Sequence, residues 1–216
     1  LRLFRHMLVL HGNAVGGGSV VYANTLLVPP EKVWRSGTWA LLRDWAAEMP
    51  EHYRTAEKML GVTTNQLLAD ADYMLKKLAD EAGVGGSFYR TRVAVYFGAD
   101  DEHAQPQQQG DPYFAGKGPA RAPCIGCGGC MVGCRHRAKN SLDYNYLYLA
   151  EKLGVKVLAE SRVSHIEPLD KQDKGHTGWR VTVKPFKQPE QHFTAQNVIV
   201  SAGSLGTQAL LFDMKE

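Results

Sequence analysis

Four cysteines, all that the chain has, fall within eleven residues of the segment CIGCGGCMVGCRHRAKN, Cys124 to Asn140. Cys124, Cys127, Cys130 and Cys134 are spaced C-x2-C-x2-C-x3-C. This is the run with which bacterial ferredoxins wrap a loop around an iron–sulfur cluster. Arg135 rather than Pro follows the fourth cysteine, and there is no second set. Cys134 would therefore close the same cluster or leave it a three-iron one. Structural zinc prefers two well-separated pairs, and disulfides at this spacing would close very small rings. Gly126, Gly128, Gly129 and Gly133 let the loop fold tightly in any of these cases. Iron–sulfur ligation leads on spacing, with free thiols and zinc left open. His136 sits between Arg135 and Arg137. The three read either as a solvated basic turn or as cations that favour thiolates or a negatively charged cluster.

The rest of the composition is ordinary for a globular chain: 216 residues, 44% apolar and 22% charged. A net charge of +3, scattered along the chain, gives no argument for nucleic acid or an anionic membrane face. No run approaches the ~18 apolar residues of a spanning helix. LRLFRHMLVL carries two arginines and lacks a small-residue cleavage site after it, so no signal peptide is read and a cytoplasmic location is expected. The chain begins without Met and ends in a helical pattern, LLFDMKE, and so reads as an internal piece of a longer protein.

Along the chain, HGNAVGGGSVVYANTLL places a glycine run before apolar residues, with Ser19 as the expected N-cap of a short helix that Pro29 and Pro30 stop. Residues 36–82 read as helical, the third piece capped by Thr63 or Thr64 and ended by Gly83. FYRTRVAVYFG, 88–98, alternates like a strand. Residues 100–123 form a polar loop, long enough to be functional or exposed. AKNSLDYNYLYLAEKLG predicts a helix of about four turns, with Leu142, Tyr146, Leu149 and Leu153 on one stripe. Asp143 and Glu151 read as surface charges on it. VKVLAE, RVSHIEPL, GWRVTVKPF and HFTAQNVIVSAG read as strands. Within the last, NVIVSAG is a continuous apolar run of the kind buried on both faces of a parallel sheet. SLGTQALLFDM follows as a helix.

Two glycine turns carry possible binding chemistry. A glycine-rich turn that feeds a helix, as in AVGGGSVVYAN, lets backbone N–H groups approach a phosphate or a flat ring. It is not G-x-G-x-x-G after a strand, so the dinucleotide fingerprint fails there. VIVSAGSLGTQALL has the strand–turn–helix form that binds nucleotides at the ends of parallel strands. An ordinary turn explains either one equally well. The eight histidines show no H-x3-H or H-E-x-x-H spacing, so no histidine metal site is read.

GGGSVVYANTLL, the cysteine segment running into AKNSLDYNYLYLAEKLGVKV, and VIVSAGSLGTQALL, in that order, resemble the glucose–methanol–choline (GMC) oxidoreductases. The nearest branch is the cholesterol oxidase-like, FAD-dependent one. The resemblance implies a mixed α/β, Rossmann-like FAD-binding fold with a substrate domain inserted. Residues 1–35 would be an FAD-binding segment, 36–123 a helical substrate-domain segment and loop, and 124–216 the cysteine loop, a helix and further FAD-binding strands. It places Gly16, Gly17, Gly18 and Ser19 beside the isoalloxazine. Many members have Asn-Gly where this chain has Tyr22 and Ala23, with Asn24 next; Tyr22 and Asn24 are the candidates there. Val163 would meet the adenine through its backbone, and Gly203 the pyrophosphate side.

The family's G-x-G-x-x-G unit and its catalytic His and Asn or His pair have no counterpart in these residues, so no catalytic residue is assigned. The activity implied is oxidation of an alcohol or sterol CH–OH group by hydride transfer to flavin. Some flavin dehydrogenases of the wider family carry an iron–sulfur cluster near FAD. A cluster on Cys124, Cys127, Cys130 and Cys134 would pass flavin electrons to an outside acceptor and make the parent a dehydrogenase. The rival is a small iron–sulfur electron carrier or metal-binding module without flavin, for which SAGSLGTQALL would serve no purpose.

Overall fold

The computed structural model describes residues 2–105, 110–170, 172 and 174–214. The chain is of mixed α and β class, as expected, and divides into two compact units, 1–156 and 157–216. Among the described residues no helix is long and apolar enough to cross a membrane.

The first unit opens with a small hairpin, β1 (Arg2–Leu3) against β2 (Leu8–Val9). The helix after the glycine run, α1, spans only Gly18–Val21, and its N-cap is Gly17 rather than Ser19. It ends at Tyr22, which is extended, well before Pro29. The helical stretch 36–82 is broken up. After α2 (Glu31–Trp34) come a 3-10 turn (Thr38–Leu41), α3 (Trp45–Met59) and α4 (Asp70–Glu81). Asp44 caps α3 by accepting from the Ala47 amide, and Pro50 is tolerated inside it. Thr63 and Thr64 do not cap a helix. They form β3, antiparallel to β4 (Arg92–Val93). The first turn of α4 is held by Asp72, whose carboxylate accepts the Ala69 amide at 2.8 Å. Gly83 ends that helix with φ +73°, as the sequence predicts.

The segment 92–96 is the axis of this unit. Val93, Ala94, Val95 and Tyr96 are all buried. The alternating pattern of a half-exposed strand is therefore replaced by burial on both faces. The reason is in the backbone bonds. Ala94 donates to Asn24, Leu26 to Arg92, Tyr96 to Ala138, Asn140 to Ala94 and Cys124 to Tyr96, at 2.8 to 3.0 Å. Neighbouring loops thus cover the segment where strands would otherwise lie.

Part of the loop 100–123 is built around one carboxylate. Asp111 is buried and accepts from the amides of Tyr113, Phe114, Gly116 and Gly118 at 2.8 to 3.1 Å. The predicted four-turn helix after the cysteines is interrupted. A 3-10 turn (Leu142–Tyr144) stops at Asn145, whose φ of −138° and ψ of −96° are not helical, and α5 (Tyr146–Lys152) starts after it. The side chain of Asn145 accepts from the Tyr146 amide, so this residue competes with the helix for its own backbone.

The second unit is an antiparallel meander, β5 (Ser161–Pro168), β6 (Trp179–Pro185) and β7 (Gln191–Ala195), with α6 (Gly203–Asp213) packed on β5. Val163 pairs with Val183 and Ile166 with Val181, across a bulge between Val163 and His165. Ile166, Val183 and Leu210 are its buried core. VKVLAE and NVIVSAG are not strands. NVIVSAG has no parallel neighbour among the described residues, and Ile199 is 90% exposed. An apolar strand without a partner cannot satisfy its backbone in a ladder.

Two outcomes are expected. Asp111→Ala removes the acceptor of four amides and should lower unfolding free energy by about 2–4 kcal/mol, Asp111→Asn by less, as read from denaturant midpoints. The second concerns Glu102, which accepts from the amide and hydroxyl of Thr64 and is paired with Arg92. The Arg92 guanidinium, more than the Thr64 donors, holds its carboxyl down at about 2, against an ordinary 4.5. Its stabilisation is complete above about pH 4.5 and lost as pH falls towards about 2. The side chain is 42% exposed, so the loss is at most about 1 kcal/mol. Glu102→Gln should flatten stability between about pH 4.5 and pH 2 and lower it by at most about 1 kcal/mol above that window.

Candidate functional site

The glycine loop and the end of the cysteine loop form one hydrogen-bonded unit. The loop is closed on itself by the Gly17 amide to the Ala14 carbonyl at 2.8 Å and by the Ser19 hydroxyl to the Gly16 carbonyl at 2.7 Å. Gly17 has φ +56°, a left-handed conformation that a β-branched residue strongly resists. A Cβ on Gly17 or on Gly18 would meet no atom within 4 Å, so the loop presents bare backbone to open space. Behind it the packing is close: a Cβ on Gly12 would overlap the Gly17 carbonyl. Gly12 was not singled out in the sequence, because nothing local marks a contact with a residue five positions on.

The segment Ala138–Asp143 grips this loop from behind. The Leu142 amide donates to the Ser19 hydroxyl at 2.9 Å, and the Tyr22 hydroxyl donates to the Asn140 carbonyl at 3.1 Å. Lys139, only 1% exposed, donates to the carbonyls of Val20, Tyr22 and Cys130 at 2.8, 2.8 and 2.7 Å. Its ammonium lies 4.6 Å from the centre of the Tyr22 ring. Burial pulls the Lys139 ammonium below its ordinary value, against the opposing pull of Cys130, Cys134 and Asp143. Burial, and then the charge of Cys130, pushes the Tyr22 phenol well up, so it stays a neutral donor. Asp143, read from the sequence as a surface charge, is half-buried instead, and its Oδ1 lies next to Gly16 without a hydrogen-bond partner.

A second buried cation braces the same segment. Arg121 donates to the carbonyls of Arg137, Ala138 and Lys139 at 2.6 to 2.9 Å and lies over the rings of Tyr113 and Tyr144. Burial lowers its pKa.

All four cysteines are free thiols, and all four line one small cavity together with Val95, His136 and Lys139. The sulfurs of Cys124, Cys130 and Cys134 are engaged by the protein itself, while Cys127 is exposed. Asn24, at φ +60°, donates from Nδ2 to Cys130 Sγ at 3.0 Å, and the Gly126 amide donates to Cys124 Sγ at 3.4 Å. Burial pushes the Cys124 thiol up. At Cys134 burial also pushes up, but the amides of Lys139, Ala138 and His136 and the charge of Arg121 outweigh it and bring the thiol below its ordinary value. Among the described residues no group of three or more Cys, His, Asp or Glu side chains is placed to hold a metal ion. The expected iron–sulfur ligation by Cys124, Cys127, Cys130 and Cys134 thus finds no support in the arrangement, and no step is derived through a cluster.

Residues 121–213 match the model of the GMC oxidoreductase family. The chain is 51% identical, over 220 aligned residues, to a cholesterol oxidase of Acinetobacter baumannii; the match covers all of this chain and 39% of that protein. It is 43% identical to a cholesterol oxidase of Mycobacterium tuberculosis, over 98% of this chain and 36% of that protein. The chain belongs to the GMC oxidoreductase family. It spans about two fifths of the length of these curated relatives.

Of the residues that the resemblance nominates, Gly16, Gly17, Gly18 and Ser19 form the loop just described. The hydroxyls of Ser19 and Tyr22 and the amide of Asn24 are spent on internal bonds. Only the glycine backbone of this group is left bare. Val163 and Gly203 belong to the second unit. Val163 lies at the bulge of β5, 36% exposed, and Gly203 opens α6 with φ +72° and open space where a Cβ would stand. Lys139, Asn140 and Leu142, which hold the glycine loop in place, were missed. A lysine between Ala and Asn in a basic stretch gives no sign that it is buried.

Gly17→Val and Gly12→Ala separate the two faces of the loop. Gly17→Val costs backbone strain of about 1–3 kcal/mol, since φ +56° with ψ −134° is open essentially to glycine, and meets no other atom of the chain. Gly12→Ala forces the loop off its support and should lower the thermal midpoint of the full-length protein more than Gly17→Val does.

Proposed function

We propose that this chain is part of an FAD-dependent oxidoreductase that oxidises a CH–OH group of an alcohol or sterol. The observation that carries the reading is the glycine loop: bare backbone at Gly17 and Gly18, pinned from behind, in a chain 51% identical to a cholesterol oxidase. The fit to a flavin is tested by that loop. Missing side chains leave room for a flat ring against the backbone of Gly17 and Gly18. When bound, FAD supplies the hydride acceptor. The chain's own part is to hold the ring face: Gly16–Ser19 give close backbone approach, while Ser19 and Tyr22, tied to Leu142 and Asn140, stop the loop from flexing. Val163 and Gly203 are the proposed contacts to the adenine and pyrophosphate ends. No residue of this chain is proposed as the base that takes the hydroxyl proton.

A flavin-free iron–sulfur carrier is favoured by no observation here. The full-length protein should release FAD on denaturation at about one per chain, and a sterol or alcohol added anaerobically should bleach its flavin bands. Iron and acid-labile sulfide, measured on the same anaerobic preparation, test the thiols separately. A preparation that folds but takes up no FAD would sink the proposal; iron without FAD would favour the carrier.

A further inference from the structure

We infer that Lys139 is a positioning residue: its ammonium sets the pose of the glycine loop, and so the seat of the ring laid on that loop. This rests on the flavoenzyme reading above. The argument starts from an odd placement. Lys139 is among the most completely buried side chains of the chain, yet it has no carboxylate ion pair among the described residues. A buried ammonium is costly unless its donors are satisfied. Here all three are, at 2.7 to 2.8 Å, and every acceptor is a backbone carbonyl.

Two of those carbonyls, Val20 and Tyr22, belong to the end of the short helix that the glycine loop feeds. Its last carbonyls have no further turn to accept from. The third, Cys130, belongs to the cysteine loop. The same two loops meet again where Asn24 donates to Cys130 Sγ. One tetrahedral donor therefore fixes the spacing between the loop that would carry the flavin and the loop that carries the thiols. A planar guanidinium cannot serve three acceptors arranged around one nitrogen, and a methionine, one atom shorter, has no donor for any of them. Lys139 touches no proposed substrate or ring atom. It acts through Val20 and Tyr22.

The test is Lys139→Met in the full-length, flavin-loaded protein. The expected result has three parts: cooperative unfolding is retained, the flavin absorption envelope shifts as its surroundings change, and kcat falls by about 10²-fold with KM little altered, the signature of a misplaced reacting pair rather than lost binding. Lys139→Arg should not rescue it. Where Lys139→Met does not fold, Lys139→Gln, a shorter neutral donor, takes its place with the same readouts. A flavin-loaded variant with wild-type spectrum and kcat overturns the inference, as does failure of both variants to fold, which would make Lys139 a general core residue. Wild-type protein that takes up no flavin defeats the functional reading instead, so the two failures are distinct.

Discussion

A buried cation that donates only to backbone carbonyls is the constraint on which the first unit depends. Glycine-rich and cysteine-rich loops have few ladder bonds, and each carbonyl taken out of water needs a partner. Lys139 and Arg121 supply six between them, to Val20, Tyr22 and Cys130 and to Arg137, Ala138 and Lys139. Burying each charge costs several kcal/mol. Charge-assisted hydrogen bonds at about 1.5–3 kcal/mol each offset it best at Lys139, whose three donors are all used, and less at Arg121, whose Nη1 is buried without a partner. These long-range bonds give the loops around a small core of Val62, Val93, Val95 and Tyr96 one geometry.

What could be read in the sequence followed from local rules. The C-terminal end of α4 at Gly83, the helix α6 and the strands β5 and β6 announce themselves through glycine, helical pattern and alternation and stand where expected, while β7 keeps only the first part of its predicted run. The failures share a cause. Thr63 and Thr64, the segment 92–96 and NVIVSAG each point one way by their own residues, but their state depends on which distant strand or loop lies alongside. Thr63 gains a strand partner in Val93 and gives up capping; NVIVSAG gains none and forms no strand. At the site, the glycine loop was legible because glycine advertises its conformation. Its supports were not, because a lysine that is buried by long-range bonds looks in sequence like any surface lysine.

The cysteine run shows why spacing alone underdetermines chemistry. C-x2-C-x2-C-x3-C with glycines between is what a loop needs to turn its sulfurs inward, and all four do line one cavity. Amides and Asn24 point at the sulfurs and two buried cations lie close by, so the surroundings suit negative charge. Yet the same features are accounted for by the clamp. Cys130 gives its carbonyl to Lys139 and its sulfur to Asn24, and Cys134 takes the amides of His136, Ala138 and Lys139. A loop can be folded around cysteines because their sulfurs accept weak hydrogen bonds in a small volume.

The family match begins at Arg121 and ends in α6, so the glycine loop at 16–19 lies outside it. It is nonetheless residues inside the match that fix that loop: Lys139 through Val20 and Tyr22, Asn140 through the Tyr22 hydroxyl, Leu142 through Ser19. Two segments more than a hundred residues apart in sequence are thus one physical object. A glycine run alone is compatible with any tight turn. A glycine run whose open side is bare and whose closed side is stapled by the family-matched segment has a face kept free and a face kept rigid. That combination is what the proposed ring seat requires, and the buried ammonium behind the loop supplies its rigid side.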